Sequence, residues 1–294
     1  MKESVIKFME RFDYPSEAIR SLLADFEKIE GCPEAYSVFR GYFDTYINEG
    51  KIPEYRNMLK AVGDAGDTVG VHRFASEFLV CIAMAWNSKK YYAEKGLSDE
   101  VWEDSMLDFK WKLFECHKVY GIWGSFVAFW FDRWFFATRC AFGRLQFELY
   151  NARHEHHGEK FDVAVGDTVV NVHIPSDFTR ALTKESCDAA YERAREYYAP
   201  FFNGKPVLFM CESWMLLPEH KEILPEGSNI LRFMSEYELG VFIERDGDLW
   251  RIFGLPNSDC RDYASLPEDT SLRRIYKKYL LGGGRIGECI GYRY

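Results

Sequence analysis

No apolar run in this sequence is long enough to cross a membrane. The most lipid-like stretch, Tyr120 to Phe131, is uncharged for twelve residues, whereas a spanning helix needs about 20. Asp132, Arg133 and Arg139 place charge directly after it, so a buried segment is the expected use. The first residues, MKESVIKFMERFDYPSE, lack the apolar core of a secretory signal. No two of the eight cysteines, Cys32, Cys81, Cys116, Cys140, Cys187, Cys211, Cys260 and Cys289, form a CxxC pair, which removes the common zinc and redox motifs. Without a secretory signal they read as reduced thiols packed as small hydrophobes, in cytoplasm. A long Lys/Arg stripe is also missing, and the net charge of −9 argues against a nucleic-acid partner. Repeats and low-complexity segments are absent.

What is abundant is aromatic surface, at 17% of residues. That much ring area calls for large cores or an aromatic-lined cavity, and 294 residues suggest two domains. The first half reads as helices. Pro15-Ser16 opens one that carries Ile19, Leu22, Leu23, Phe26 and Ile29, and Pro33 opens another that runs to Gly50. One long helical segment is expected from Thr68 to Lys95, and a further helix from Ser98 through His117 with acidic residues in its first turn. The aromatic segment Ile122–Phe142 is read as a helix joining the two halves.

At Gly143 the hydrophobic period changes from helical to two. Leu145, Phe147 and Leu149 alternate with Arg144, Gln146 and Glu148, the pattern of a half-buried strand. Phe161–Val165 and Thr168–Ile174 flank Gly166-Asp167 and predict a hairpin. A helix from Thr183 to Phe202, a strand over Val207–Met215, a helix opened by Ser228, a strand over Leu249–Phe253, a helix from Thr270 and a last strand over Ile286–Tyr292 complete the reading. Strands and helices in that order imply a mixed sheet flanked by helices, with the domain boundary between Tyr120 and Gly143.

Several segments carry a resemblance. They are Gly143-Arg144-Leu145-Gln146-Phe147-Glu148, Val172-His173-Ile174-Pro175, Cys211-Glu212-Ser213-Trp214, Ser228-Asn229-Ile230 and Leu266-Pro267-Glu268-Asp269-Thr270-Ser271-Leu272. With Tyr91-Tyr92, Gly96-Leu97, Asp108 and Trp111 upstream, the chain resembles a bacterial family that pairs an N-acyltransferase-type helical N-terminal domain with a GNAT-like C-terminal domain. The resemblance implies an α/β (more narrowly α+β) fold, with the helical domain at 1–130 and the GNAT-like mixed sheet at 131–294. It implies acyl-coenzyme A-dependent transfer to a small amine-bearing acceptor, with acetyl-coenzyme A or another acyl-coenzyme A as co-substrate and no metal. The alternative is a non-catalytic ligand-binding or regulatory protein on a GNAT-like core.

Such a transfer needs the pyrophosphate held, the attacking ammonium deprotonated and the departing thiolate protonated. The resemblance places the pyrophosphate at the helix beginning at Thr183, with Ser176, Arg180 and Lys184 around it. The sequence departs from the family's glycine-bearing loop, because no glycine occurs between Gly166 and Gly204. Arg180 and Lys184 are the candidates to supply charge instead, or else are solvated side chains. His173 is the candidate base, at a strand end where open sheets bind ligands; its other reading is a structural histidine fixing the Ile174-Pro175 turn. Glu212, an acid among Leu208, Met210 and Trp214, is the second candidate base, or the partner of a buried arginine. Tyr237 is the candidate acid for the thiolate. Asn171, Ser213 and Trp214 are candidate substrate contacts. His154, His156 and His157 with Glu155 form a cluster that is read as an exposed loop rather than a metal site. Composition leaves the oligomeric state open.

Overall fold

The computed structural model describes residues 1–245 and 248–294, and the chain divides into two compact units, Met1–Cys140 and Ala141–Tyr294. The first unit is helical: α1 (Lys2–Arg11), α2 (Ser16–Glu30), α3 (Pro33–Glu49), α4 (Tyr55–Thr68), α5 (Arg73–Trp86), α6 (Lys89–Glu94) and α7 (Asp99–Tyr120). Helix α5 is its centre. Every residue from Phe78 to Ala85 is buried, as a helix that is apolar all round must be. The single helix expected over Thr68–Lys95 is instead broken twice. Gly70 adopts φ +70° between α4 and α5, a conformation open to glycine at little cost. Ser88 ends the next turn, its hydroxyl donating to the Ala85 carbonyl at 2.7 Å and accepting from Trp102 Nε1 at 3.0 Å.

The helix expected over Ile122–Phe142 is largely irregular chain, with one 3-10 turn at Ala128–Trp130. Gly121 closes α7 with φ +71°, and Gly124 lies against the start of α5. A Cβ on Gly124 would stand 2.5 Å from the Phe74 carbonyl, which accepts from Ser125 N–H at 3.0 Å. Ring packing takes the place of helical hydrogen bonds: Phe131 stacks on Phe109 at 4.0 Å, and the Arg139 guanidinium covers Trp130 at 3.7 Å.

The second unit is a mixed sheet with helices. Its strands are β1 (Arg139–Phe142), β2 (Leu145–Asn151), β3 (His156–His157), β4 (Asp162–Val163), β5 (Thr168–His173), β6 (Phe209–Ser213), β7 (Glu238–Glu244) and β8 (Gly287–Arg293). Its helices are α8 (Lys184–Tyr198), α9 (His220–Ile223), α10 (Asn229–Ser235), α11 (Leu249–Phe253) and α12 (Ser271–Leu281). The main sheet runs β1-β2-β5-β6-β8-β7, and β3 pairs with β4 separately. The hairpin expected around Gly166-Asp167 is therefore not formed: β5 pairs with β2 and β4 with β3. Leu249–Phe253, expected as a strand, is one helical turn that buries Leu249, Ile252 and Phe253 and is ended by Gly254 at φ +68°. Four apolar residues around Arg251 do not distinguish the two periods. Strand β7 alternates too weakly to be evident from its residues.

His220 is wholly buried, with Nδ1 donating to the Met215 carbonyl at 3.2 Å and Nε2 bonded to the Tyr276 hydroxyl. Burial pushes its imidazole down to about 4. The folded value lies below the unfolded one, near 6.5, so stability is intact above about pH 6.5 and declines as pH falls toward 4. The slope is about 1.4 kcal/mol per pH unit. Urea titrations at pH 7 and pH 5 are expected to show wild type losing about 2 kcal/mol more than His220→Gln.

Candidate functional site

The site forms where two parallel strands stop pairing. Strands β5 and β6 share only Val170↔Phe209 and Asn171↔Met210, although each runs on by at least two residues. They part at their C-terminal ends, where ligands enter open sheets. One face of the sheet packs on α8, with the Tyr191 ring 5.7 Å from Phe147 and 5.0 Å from Phe209. The opposite face carries a polar row. In register across five strands it contains Glu148, Asn171, Met210, Tyr292 and Glu238. One step further along, His173 on β5 and Glu212 on β6 occupy equivalent positions on either side of the gap.

The alternation in β2 suggested an exposed polar face, but Gln146 and Glu148 are buried. A buried carboxylate requires a partner, and His173 Nε2 lies 2.9 Å from Glu148 Oε1. With the Nε2 proton directed at Glu148, the basic lone pair is on Nδ1. Glu212 meets Arg245, whose Nη2 is 2.8 Å from Oε1 in a charge contact without hydrogen-bond alignment. Asn171 is only 9% exposed and its Oδ1 has no hydrogen-bond partner. An orphaned buried acceptor is costly unless a ligand or water completes it.

Other candidates stand apart from this pair. Tyr237 is on the α8 side, its hydroxyl bonded to that of Tyr191, and burial holds the phenol well above its ordinary range. Ser213 Oγ accepts from Met215 N–H at 3.1 Å, capping the turn that ends β6. Trp214 lies in that turn, its ring 5.9 Å from both His220 and Tyr276. His156, expected in an exposed loop, is buried and bonded to Glu238 at 2.8 Å. Among the described residues no group of His, Cys, Asp and Glu is arranged to hold a metal.

At the α8 end, the loop from Pro175 to Leu182 is organised by Asp177. Its Oδ1 accepts from Thr179 N–H at 2.8 Å and Arg180 N–H at 2.9 Å, and its Oδ2 pairs with Arg180 Nε. Burial disfavours its charge, but the bonds from Arg180 and Thr179 prevail and keep the carboxyl below its ordinary value. Arg180 and Lys184, the expected charge donors, are thus engaged by Asp177 and Asp188. Ser176 opens the loop. Thr183 caps α8, accepting from Ser186 N–H at 3.2 Å while Ser186 Oγ accepts from Thr183 N–H at 3.1 Å. A cleft here is lined by Leu182, Thr183, Lys184, Cys187, Asn229 and Arg232. Arg144 is not evident as a site residue from sequence. It is 7% exposed, donates to the Pro175 carbonyl at 3.1 Å, and its Nε has no partner. A guanidinium held at the start of this loop is well placed for an anion. Its place within the Gly143–Glu148 motif is the one signal that could have found it.

A parting pair of parallel strands and a capped helix, on a mixed sheet that comes after a helical unit in the chain, define a GNAT-like protein. Residues 3–136 match the model of an N-acyltransferase N-terminal domain, and residues 140–293 that of a GNAT-like C-terminal domain. The chain belongs to the family that joins these two domains. Among solved structures, it is similar to a mutant acyltransferase in complex with octanoyl-CoA, at TM-score 0.73 and 20% identity over 99% of this chain and 87% of that one. It is also similar to an acyltransferase in complex with decanoyl-CoA and teicoplanin, at TM-score 0.68 and 20% identity over 98% and 87%. A third, an acyltransferase with CoA and 10C-teicoplanin, aligns at TM-score 0.67 and 19% identity over 98% and 87%. No curated protein sequence matches the chain.

The order of the loop before α8 depends on one carboxylate. Asp177→Ala strands the donors of Thr179 and Arg180, and each lost bond of this kind is worth about 1 kcal/mol. Equilibrium unfolding is expected to show a loss of about 1–3 kcal/mol, with faster amide exchange confined to the loop and the first turn of α8.

Proposed function

We propose that this protein transfers an acyl group from an acyl-coenzyme A thioester to a small amine-bearing acceptor. The observation that carries the reading is the placement of His173 with Glu148, and of Glu212, on one face at the two sides of the β5/β6 gap. The likeness to structures that hold octanoyl- and decanoyl-CoA supports an acyl-coenzyme A as the donor; acetyl-coenzyme A is one member of that class to test. The thioester arm enters the gap, and its phosphates meet the start of α8, with Ser176, Thr183, Arg144, Arg180 and Lys184 around them. Ion pairing by Arg180 and Lys184 leaves Arg144 the strongest anion contact of the set.

In the reaction the amine nitrogen attacks the thioester carbonyl, and His173 Nδ1 takes the proton that the nitrogen loses. Glu148, buried beside the ring, orients the imidazole and stabilises the imidazolium. Glu212 draws the cationic acceptor to the gap, and the Asn171 amide oxygen accepts a hydrogen bond from it. Ser213 and Trp214 border the same strand end. Reduced cysteines, all eight of them free, suit a cytoplasmic reaction, and the acidic balance suits a cationic small molecule over nucleic acid.

His173→Gln tests this directly. A placed base contributes about 10²–10⁴-fold, so turnover is expected to fall at least about tenfold with coenzyme A affinity kept. The deficit should shrink at high pH, where the amine loses its proton unaided. Binding is checked separately: donor at a hundred times its dissociation constant stabilises by about 2.7 kcal/mol. A protein whose melting temperature ignores acetyl- through decanoyl-coenzyme A, and which acylates no amine, is the non-catalytic alternative.

A further inference from the structure

Resting on the acyltransferase reading, we propose that the acceptor is a diamine, whose second, non-reacting ammonium is held between the Glu212 carboxylate and the buried Tyr292 hydroxyl.

Asn171 Oδ1 on β5, Glu212 Oε1 on β6 and the Tyr292 hydroxyl on β8 are buried atoms of one sheet face, without a hydrogen-bond partner among the described residues. Met210 pairs with Asn171 on one side and with Tyr292 on the other, and Glu212 is the next residue of β6 on that face. The three groups therefore lie on neighbouring strands within one pleat. Asn171 is 9% exposed and Tyr292 1%. A carboxylate and an amide oxygen accept, and a phenol can accept as well as donate. Left open in a buried place, such atoms are costly unless a ligand or water completes them.

The Tyr292 ring is fixed by its neighbours. It packs with Met210 and Ile290 in one apolar cluster and lies 4.9 Å from the His156 ring, which Glu238 holds in turn. Burial, and then the Glu212 charge, raise its phenol above the ordinary value, so hydroxyl and carboxylate are within electrostatic reach of each other.

The charge of the face selects a cation. On the five strands β2, β5, β6, β8 and β7 it carries Glu148, Glu212, Glu288 and Glu238, and no lysine or arginine. Glu148 and Glu238 are bonded to His173 and His156. Arg245, one residue beyond β7, is shared by Glu212 and Glu288. An ammonium entering beside Glu212 brings N–H donors to the open acceptors and positive charge to a face built of carboxyl groups. An alcohol in the same place brings a donor but no charge.

Strand spacing sets the length of the acceptor. Neighbouring strands are about 4.8 Å apart. A nitrogen at His173 on β5 and a second one between β6 and β8 are thus separated by roughly 5–10 Å. 1,5-Diaminopentane is a probe of that length. Its first nitrogen attacks the thioester and gives its proton to His173, while the second stays protonated and takes no part in the bond changes.

The test compares 1,5-diaminopentane with pentan-1-amine, using saturating octanoyl-coenzyme A. Wild type is expected to show kcat/KM about ten- to hundredfold higher for the diamine, the range of a hydrogen bond to a charged group. The advantage should lie in KM, because the second ammonium is bound equally before and during the transfer. In Tyr292→Phe the ratio between the two amines should fall by about fivefold or more, and Glu212→Gln should lower it too. Tyr292→Phe keeps the ring and deletes a hydroxyl that is open in the free protein, so its melting temperature should match or exceed that of wild type. The diamine alone should raise the melting temperature of wild type more than that of the variant. A clear loss of stability in Tyr292→Phe makes the hydroxyl a structural group and overturns the proposal. Equal kcat/KM for both amines, or an unchanged ratio in the variant, overturns it as well and leaves the acyltransferase reading standing. The same holds for wild type that binds octanoyl-coenzyme A but acylates neither amine. Wild type that neither binds the donor nor acylates an amine overturns both.

Discussion

The arrangement of the second unit depends on how briefly β5 and β6 pair. Two residues of each strand are locked in register, and the ladder then ends while both strands continue. What holds the paired part is the core behind it, where Phe147, Phe209 and Tyr191 pack edge to face. What lies beyond is a gap lined by strand ends, with backbone groups that the ladder does not use. Every other feature of the candidate site is placed relative to that gap. His173 and Glu212 border it, and the loop organised by Asp177 begins beside it.

A polar sheet face that is buried has to solve its own electrostatics. Here the solution is pairwise. Glu148 is answered by His173, Glu238 by His156, and Glu212 with Glu288 by Arg245. Removing either member of such a pair leaves the other uncompensated in a poorly solvated place, which costs more than the pair itself contributes. The few polar atoms left without a hydrogen-bond partner on this face, Asn171 Oδ1 and the Tyr292 hydroxyl among them, therefore stand out. They are where the pairing logic is unfinished, and their residues lie in one register row across the sheet.

Helices with regular apolar spacing are legible from the residues: α2, α3 and α7 carry such stripes, and Gly31 and Gly50 mark the ends of the first two. Strands β2, β5, β6 and β8 are legible as well, because their alternation or apolar runs are long enough to decide a period. Short apolar segments are not. Leu249–Phe253 serves equally as strand or helical turn, and only the packing of Leu249, Ile252 and Phe253 against one core selects the turn. Ile122–Phe142 has the composition of a buried helix, yet Gly121 and Gly124 let it run as irregular chain held by rings. His173 and Glu212 can be named as chemistry-bearing residues at strand ends. That they border the same gap cannot be read locally, since the residues between them are a helix and two turns.

Local pattern was enough to establish the division into a helical half and a sheet-bearing half, the polar residues at the strand ends, and the missing glycine before α8. Those properties are carried by period, composition and spacing. The choice of partners came from the folded chain. Strand register put Glu148 beside His173 across 25 positions, set Glu288 next to Glu212, and turned Tyr237 to the opposite side. It did so because a strand's side chains alternate between faces, so the pairing of distant strands, which no local pattern encodes, decides which polar groups share one face and must neutralise each other.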